Sequence, residues 1–174
     1  MMKKQKSVTL YNMILPIWLL ILFPQFWLVA LPANFLIDLL VLRLSFRHQG
    51  IENRKQVAKE SIFRVWVAGF AGDFVGGIGM ASMMFFDFDL QTPFGKWWFD
   101  NLTNSVMYNP FETVWAFLWV TACVVIAGVA LYWFNRKWAL EKSGLTPEQK
   151  KTTALAMAVV TAPYLFYLPT SWFF

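Results

Sequence analysis

Cysteine and histidine are almost absent from this chain: Cys123 and His48 are the only ones in 174 residues. A single cysteine excludes an intrachain disulfide and any multi-cysteine metal site. His48 sits in a basic loop, Arg47-His48-Gln49-Gly50, whose neighbours offer no further metal ligands. No metal and no cofactor is therefore expected. Catalytic signatures are missing as well. There is no His-Glu-x-x-His, no serine elbow and no cysteine–histidine pair, so the chain is not expected to be an enzyme.

Charge is the third scarcity. Only 14% of the residues are charged, where a soluble domain carries about 25%. The polar stretches near 45–61, 87–110 and 135–151 are each too short to bury a core of their own. A separate soluble domain is excluded on that ground, and residues 1–174 are expected to form a single transmembrane domain. The net charge of +5 does not point to nucleic acid. The basic residues flank hydrophobic segments, where they set topology and meet anionic headgroups, so the first partner is the lipid bilayer.

What the chain has in abundance is apolar and aromatic surface, 58% and 19% of its residues. The start, MMKKQKSVTLYNMILPIWLLILF, has the basic and apolar regions of a signal peptide. No small-residue cleavage site follows, and hydrophobicity continues past Pro32 to Leu44, which indicates a retained segment. From Val8 to Leu44 the run is nearly twice one span. Lys3, Lys4 and Lys6 precede it, and Arg43, Arg47, Arg54, Lys55, Lys59 and Arg64 flank its other end. Keeping both clusters on the cytoplasmic side needs an even number of crossings, which favours a tight hairpin broken near Pro24-Gln25 over one long helix. Its first arm is short enough to be re-entrant.

The expectation is an all-α bundle of five spans at about 8–23, 26–44, 62–86, 110–134 and 147–170. The N-terminus would be cytoplasmic and the C-terminus outside, with a bacterial plasma membrane as the default location. Asp87, Lys96 and Asp100 would lie in the outer loop, and Arg136, Lys137, Lys142, Lys150 and Lys151 inside. Helix starts are marked at Asn109-Pro110-Phe111-Glu112 and at Thr146-Pro147-Glu148-Gln149, the latter with the residues of a capping box. Thr92-Pro93 opens a short interfacial helix with Phe94, Trp97, Trp98 and Leu102 on one face.

Two patterns bear on function. Gly72 and Gly76, with Gly69 and Gly77 on the adjacent row, and Ala154, Ala158 and Ala162 repeat at four-residue spacing, which lets helix backbones approach closely. Those faces suit packing within the chain, a homo-oligomer or a membrane-complex partner. The second pattern is polar. Asp73 stands alone in the apolar run Val65–Phe86, at roughly 16 Å from the start of its span by helical rise. Asn34 comes out at the same depth, Asp38 one turn nearer the cytoplasm on the same face, and Thr161 within a turn. Pro32 and Pro163 cannot donate to the carbonyls of Leu28 and Val159. Carboxylates beside carbonyls freed by broken helices are the equipment with which secondary transporters hold cations or protons. The sequence therefore points to an ion or small solute moved through the bundle, with Asp73, Asn34, Asp38 and Thr161 as its site. The alternative is a non-catalytic subunit or scaffold that packs into a larger assembly.

Overall fold

The computed structural model of the protein describes residues 24–86 and 88–172. The expected first span at 8–23, the lysines before it and Asp87 lie outside the described residues. Among the described residues the chain is helical throughout, with no strand.

Helix α1 is Pro24–His48 and α2 is Arg54–Ala81, which runs on into a 3-10 turn at Ser82–Phe85. A short helix, α3 (Pro93–Trp98), passes through π turns at Phe99–Thr103 into α4 (Asn104–Tyr108). Helix α5 is Val114–Phe134, prolonged by π turns at Asn135–Ala139, and α6 is Pro147–Val160. Three segments, Leu28–His48, Arg54–Phe85 and Val114–Ala139, are long and apolar enough to cross a membrane. Their outward faces carry large exposed hydrophobics such as Leu36, Leu40, Phe63, Phe74, Ile126 and Val129. An apolar surface of that extent suits lipid and not water.

Local chemistry explains where the helices begin and end. Helix α1 stops in a Schellman arrangement: Ile51 N donates to Phe46 O at 3.1 Å and Gly50 N to Arg47 O at 3.2 Å. Gly50 sits at φ 66°, where a side chain would be strained. Thr146 and Gln149 form the expected capping box at the start of α6. Thr92 accepts from Gly95 N ahead of Pro93, as the short helix required. The start of α5 differs from expectation, because Asn109 is a turn residue. Its side chain accepts from Phe111 N and its carbonyl from Glu112 N. The cap is Thr113, whose hydroxyl oxygen accepts from Ala116 N at 3.1 Å.

The expected fifth span is also shorter than read from the sequence. Helix α6 has 14 residues, about 21 Å of rise against a hydrocarbon core of about 30 Å. It ends at Val160, two residues before Ala162, whose backbone the following proline restricts. The chain continues in 3-10 turns at Tyr164–Tyr167 and Thr170–Trp172.

Helices α1, α2, α5 and α6 pack as a ring, each chiefly on its two neighbours. One apolar cluster fills the end where α1 meets α2 and α5 meets α6, around Leu42, Phe46, Val65, Leu140 and Met157. A second, smaller cluster around Val106, Ala116, Val120 and Val124 closes the opposite end, with Met80, Trp119, Ala162 and Phe166 against it. The candidate site lies between them.

Candidate intramembrane polar site

Helices α1 and α2 run antiparallel and meet at Gly69, where an added Cβ would lie 3.4 Å from Asp38 Oδ2. A methyl group there would stand at ordinary contact distance from the carboxyl oxygen. Asp38 is 5% exposed. Asp73, one turn farther along α2 from Gly69, is half-buried. Its Oδ1 is buried without a hydrogen-bond partner. Asn34, half-buried, stands four residues before Asp38 and comes level with Asp73 by the same antiparallel register. So α1 and α2 bring together two of the four residues expected at the site, with Asn34 at the matching depth. Two carboxyl groups about one helical turn apart in a medium of low dielectric favour a proton or another positive charge nearby. No group of three or more His, Cys, Asp or Glu side chains suited to a metal ion occurs among the described residues.

Thr161 plays a different part from the one expected. Its hydroxyl donates to Met157 O at 2.8 Å, in the last turn of its own helix. The carbonyl of Val159, which Pro163 was expected to leave open, accepts from the Tyr164 hydroxyl. What survives is the break itself. Ser45 Oγ on α1 donates to Thr153 Oγ1 on α6 at 3.2 Å, which fixes the register of those two helices. Seven residues outward from each, about 10 Å of rise, α1 reaches Asp38 and α6 reaches Val160. Helix α6 therefore stops at the depth of the carboxyl pair, with the negative end of its dipole at that level.

The small-residue faces are occupied inside the chain. A Cβ at Gly76 would come within 2.8 Å of Ala127 Cβ and of Phe166 Cε2, and one at Gly79 within 2.9 Å of Cys123 Sγ. Gly72 and Gly77 are buried on the same helix, Gly72 against Leu131. Ala154 and Ala158 are buried, and Gly128 of α5 approaches the Ala158 carbonyl. Ala162 packs on the second, smaller apolar cluster.

Charge is divided between the ends. The α1–α2 connection and the α5–α6 connection lie side by side around a shared cleft lined by Gly50, Asn53, Ser143 and Gln149. Arg47, Arg54, Lys55, Lys142, Lys150 and Lys151 belong to that end. The other end carries Asp89, Asp100 and Glu112 with Lys96 as its basic residue. There an aromatic group forms: Phe88 meets Trp98 at 5.1 Å and Phe94 at 5.1 Å between ring centroids. Leu102, expected on the interfacial face, is buried instead.

Four polar residues of the half nearer the basic end were not singled out in the sequence. Ser45 and Thr153 are buried, and Gln49 Nε2 donates to both hydroxyls, at 3.0 and 2.9 Å. Asn135 is 0% exposed and its Oδ1 has no partner. A signal existed for two of them: Ser45 and Gln49 follow Asp38 by seven and eleven residues, on one helical stripe. Compared with protein-family models, with curated proteins and with solved structures, the chain matches none.

Proposed function

We propose that the protein moves a small cation, a proton or a metal ion, across a membrane, with the Asp38–Asp73 pair as the group that holds it. The observation that carries this reading is the placing of buried Asp38 against Gly69, one turn along the helix from half-buried Asp73, whose Oδ1 lacks a partner, between two apolar clusters. A carboxylate at mid-depth costs about 2.5–3.5 kcal/mol on insertion scales, so two retained side by side favour use over mere packing. The end of α6 at the same depth adds support, since helices broken at the midplane present their C-terminal ends to cations.

In this reading the basic end faces the cytoplasm and the C-terminus the outside, in a bacterial plasma membrane. Five crossings, with residues 8–23 as the first, complete the topology, and the aromatic outer helix rests in the headgroup layer. The competing reading is a scaffold subunit or homo-oligomer with no cargo.

The test is proton and metal-ion flux into liposomes for the wild-type protein and Asp73→Asn. Flux that disappears in a well-folded variant supports the reading. Absence of flux in the folded wild type overturns it and turns attention to the scaffold.

A further inference from the structure

The inner half of the bundle holds polar groups that neither helix formation nor apolar packing calls for. Along one stripe of α1, inward from Asp38, come Leu42, Ser45 and Gln49 at helical spacing, and α6 adds Thr153 beside Ser45. Ser45, Thr153 and Gln49 satisfy one another, so on their own they read as an interhelical tie. Asn135 breaks that account. Its Nδ2 donates to Leu131 O at 2.9 Å, while Oδ1 is completely buried and has no partner. A buried carbonyl of this kind is ordinarily satisfied by water when protein does not reach it.

The depth of Asn135 gives the group its meaning. On α5, Cys123 and Ala127 flank Gly76, while Ala127 and Leu131 approach Gly72. The next rung of that ladder places Leu131 and Asn135 beside Ala68, just inward of the Gly69 contact with Asp38. Asn135 therefore falls between Asp38 and Ser45, at the level of Leu42. The α-helix also widens there, because the π turns of Asn135–Ala139 begin at this residue, and such bulges are frequent at functional sites. At the inner end, a cleft of about 400 Å³ opens at Gly50, next to Gln49.

We infer that water enters the bundle from its basic end along Gln49, Ser45, Thr153 and Asn135 and reaches Asp38, with Leu42, the member of the buried apolar cluster one turn from Asp38, as the rung that limits passage. The use assigned to this route, loading the carboxyl pair from one side, rests on the cation-moving reading above; the route itself does not.

The test is thiol accessibility in the full chain. In a Cys123→Ala background, single cysteines replace Ser45, Asn135 and, as a lipid-facing control, Leu44. Each variant is reconstituted in liposomes, sorted by orientation and exposed to a charged, membrane-impermeant thiol reagent. Ser45→Cys and Asn135→Cys are expected to react only when the reagent is on the side of the basic end, and Leu44→Cys from neither side. Equal inertness of all three in monodisperse protein overturns the route. Reaction from the opposite side does so too. Flux is read on the same preparations. Accessible cysteines without flux in the parent protein keep the water route and reject cation movement, whereas flux with inert cysteines rejects the route alone. A second arm uses Leu42→Ala, which needs no labelling. Several-fold faster flux is expected from a smaller rung, and unchanged flux overturns Leu42 as the limit.

Discussion

Helix α2 carries two glycine-lined faces that serve opposite ends. Toward α5, Gly72, Gly76 and Gly79 let two backbones close on each other, and the space is filled by Leu131, Ala127, Cys123 and Phe166. Toward α1, Gly69 and Asp73 open the helix to a carboxyl group. The same residue type therefore makes an apolar seam on one side and a polar contact, called the chamber for the space proposed there, on the other. What differs is the partner: small apolar side chains in the first case, Asp38 in the second. In lipid, where burial of apolar surface gives no drive for association, the seam supplies van der Waals contact that holds the bundle. The chamber works against that stability.

The seam gives the largest expected effect. Gly76→Leu forces a side chain into space already held by Ala127 and Phe166, with the Cys123 carbonyl 3.3 Å from the new Cβ. Backbone cannot move aside as a flexible side chain can, so a loss of about 3 kcal/mol is expected. Denaturation in mixed micelles measures it. A variant as stable as the wild type would remove the distinction between the two faces.

The chamber predicts the reverse sign. Asp38→Asn keeps the volume and removes a buried carboxylate, so stability should hold or rise by about 1–2 kcal/mol. Flux should nevertheless be lost. A destabilised variant would show instead that the Asp38 carboxyl group ties α1 to α2.

Gly69→Ala probes the chamber wall. Its Cβ would lie at ordinary contact distance, 3.4 Å from Asp38 Oδ2. Helix propensity favours alanine by roughly 1 kcal/mol, which offsets a small packing penalty, so stability should change by less than about 1 kcal/mol. Flux should fall, because the methyl group enters the space beside the carboxyl oxygen. The same change at Gly76 should cost stability, which sharpens the contrast between the faces within one helix.

How far the sequence reveals these features depends on the range of the interactions involved. Apolar runs, the Thr146–Gln149 capping box and the Thr92-Pro93 helix start are local, and all are present. The closeness in depth of Asn34, Asp38 and Asp73 follows from counting residues along two antiparallel helices, which meet where Gly69 lies against Asp38. The start of α5 was misplaced because Asn109 and Thr113 compete for the cap, and the asparagine side chain turns to Phe111 N. Asn135 escaped notice because it stands at the end of an apolar run, where an asparagine reads as a boundary. Its importance comes from the register of α5 on α2, which no local pattern encodes.

Thr161 gives the smallest expected effect and the clearest limit to counting by depth. Residue counting brings it to the level of Asp38, and the register set by Ser45 and Thr153 agrees. Depth does not fix direction. The hydroxyl turns back to Met157 O, which also accepts from Thr161 N at 2.9 Å, and so serves the last turn of α6. Thr161→Val keeps the shape and removes one bond to a carbonyl that retains another donor. The expected loss is about 0.5–1 kcal/mol in stability, with flux unchanged. A variant folded as well as the wild type but without flux would return Thr161 to the cation site, and with it the sequence expectation that the structure redirects.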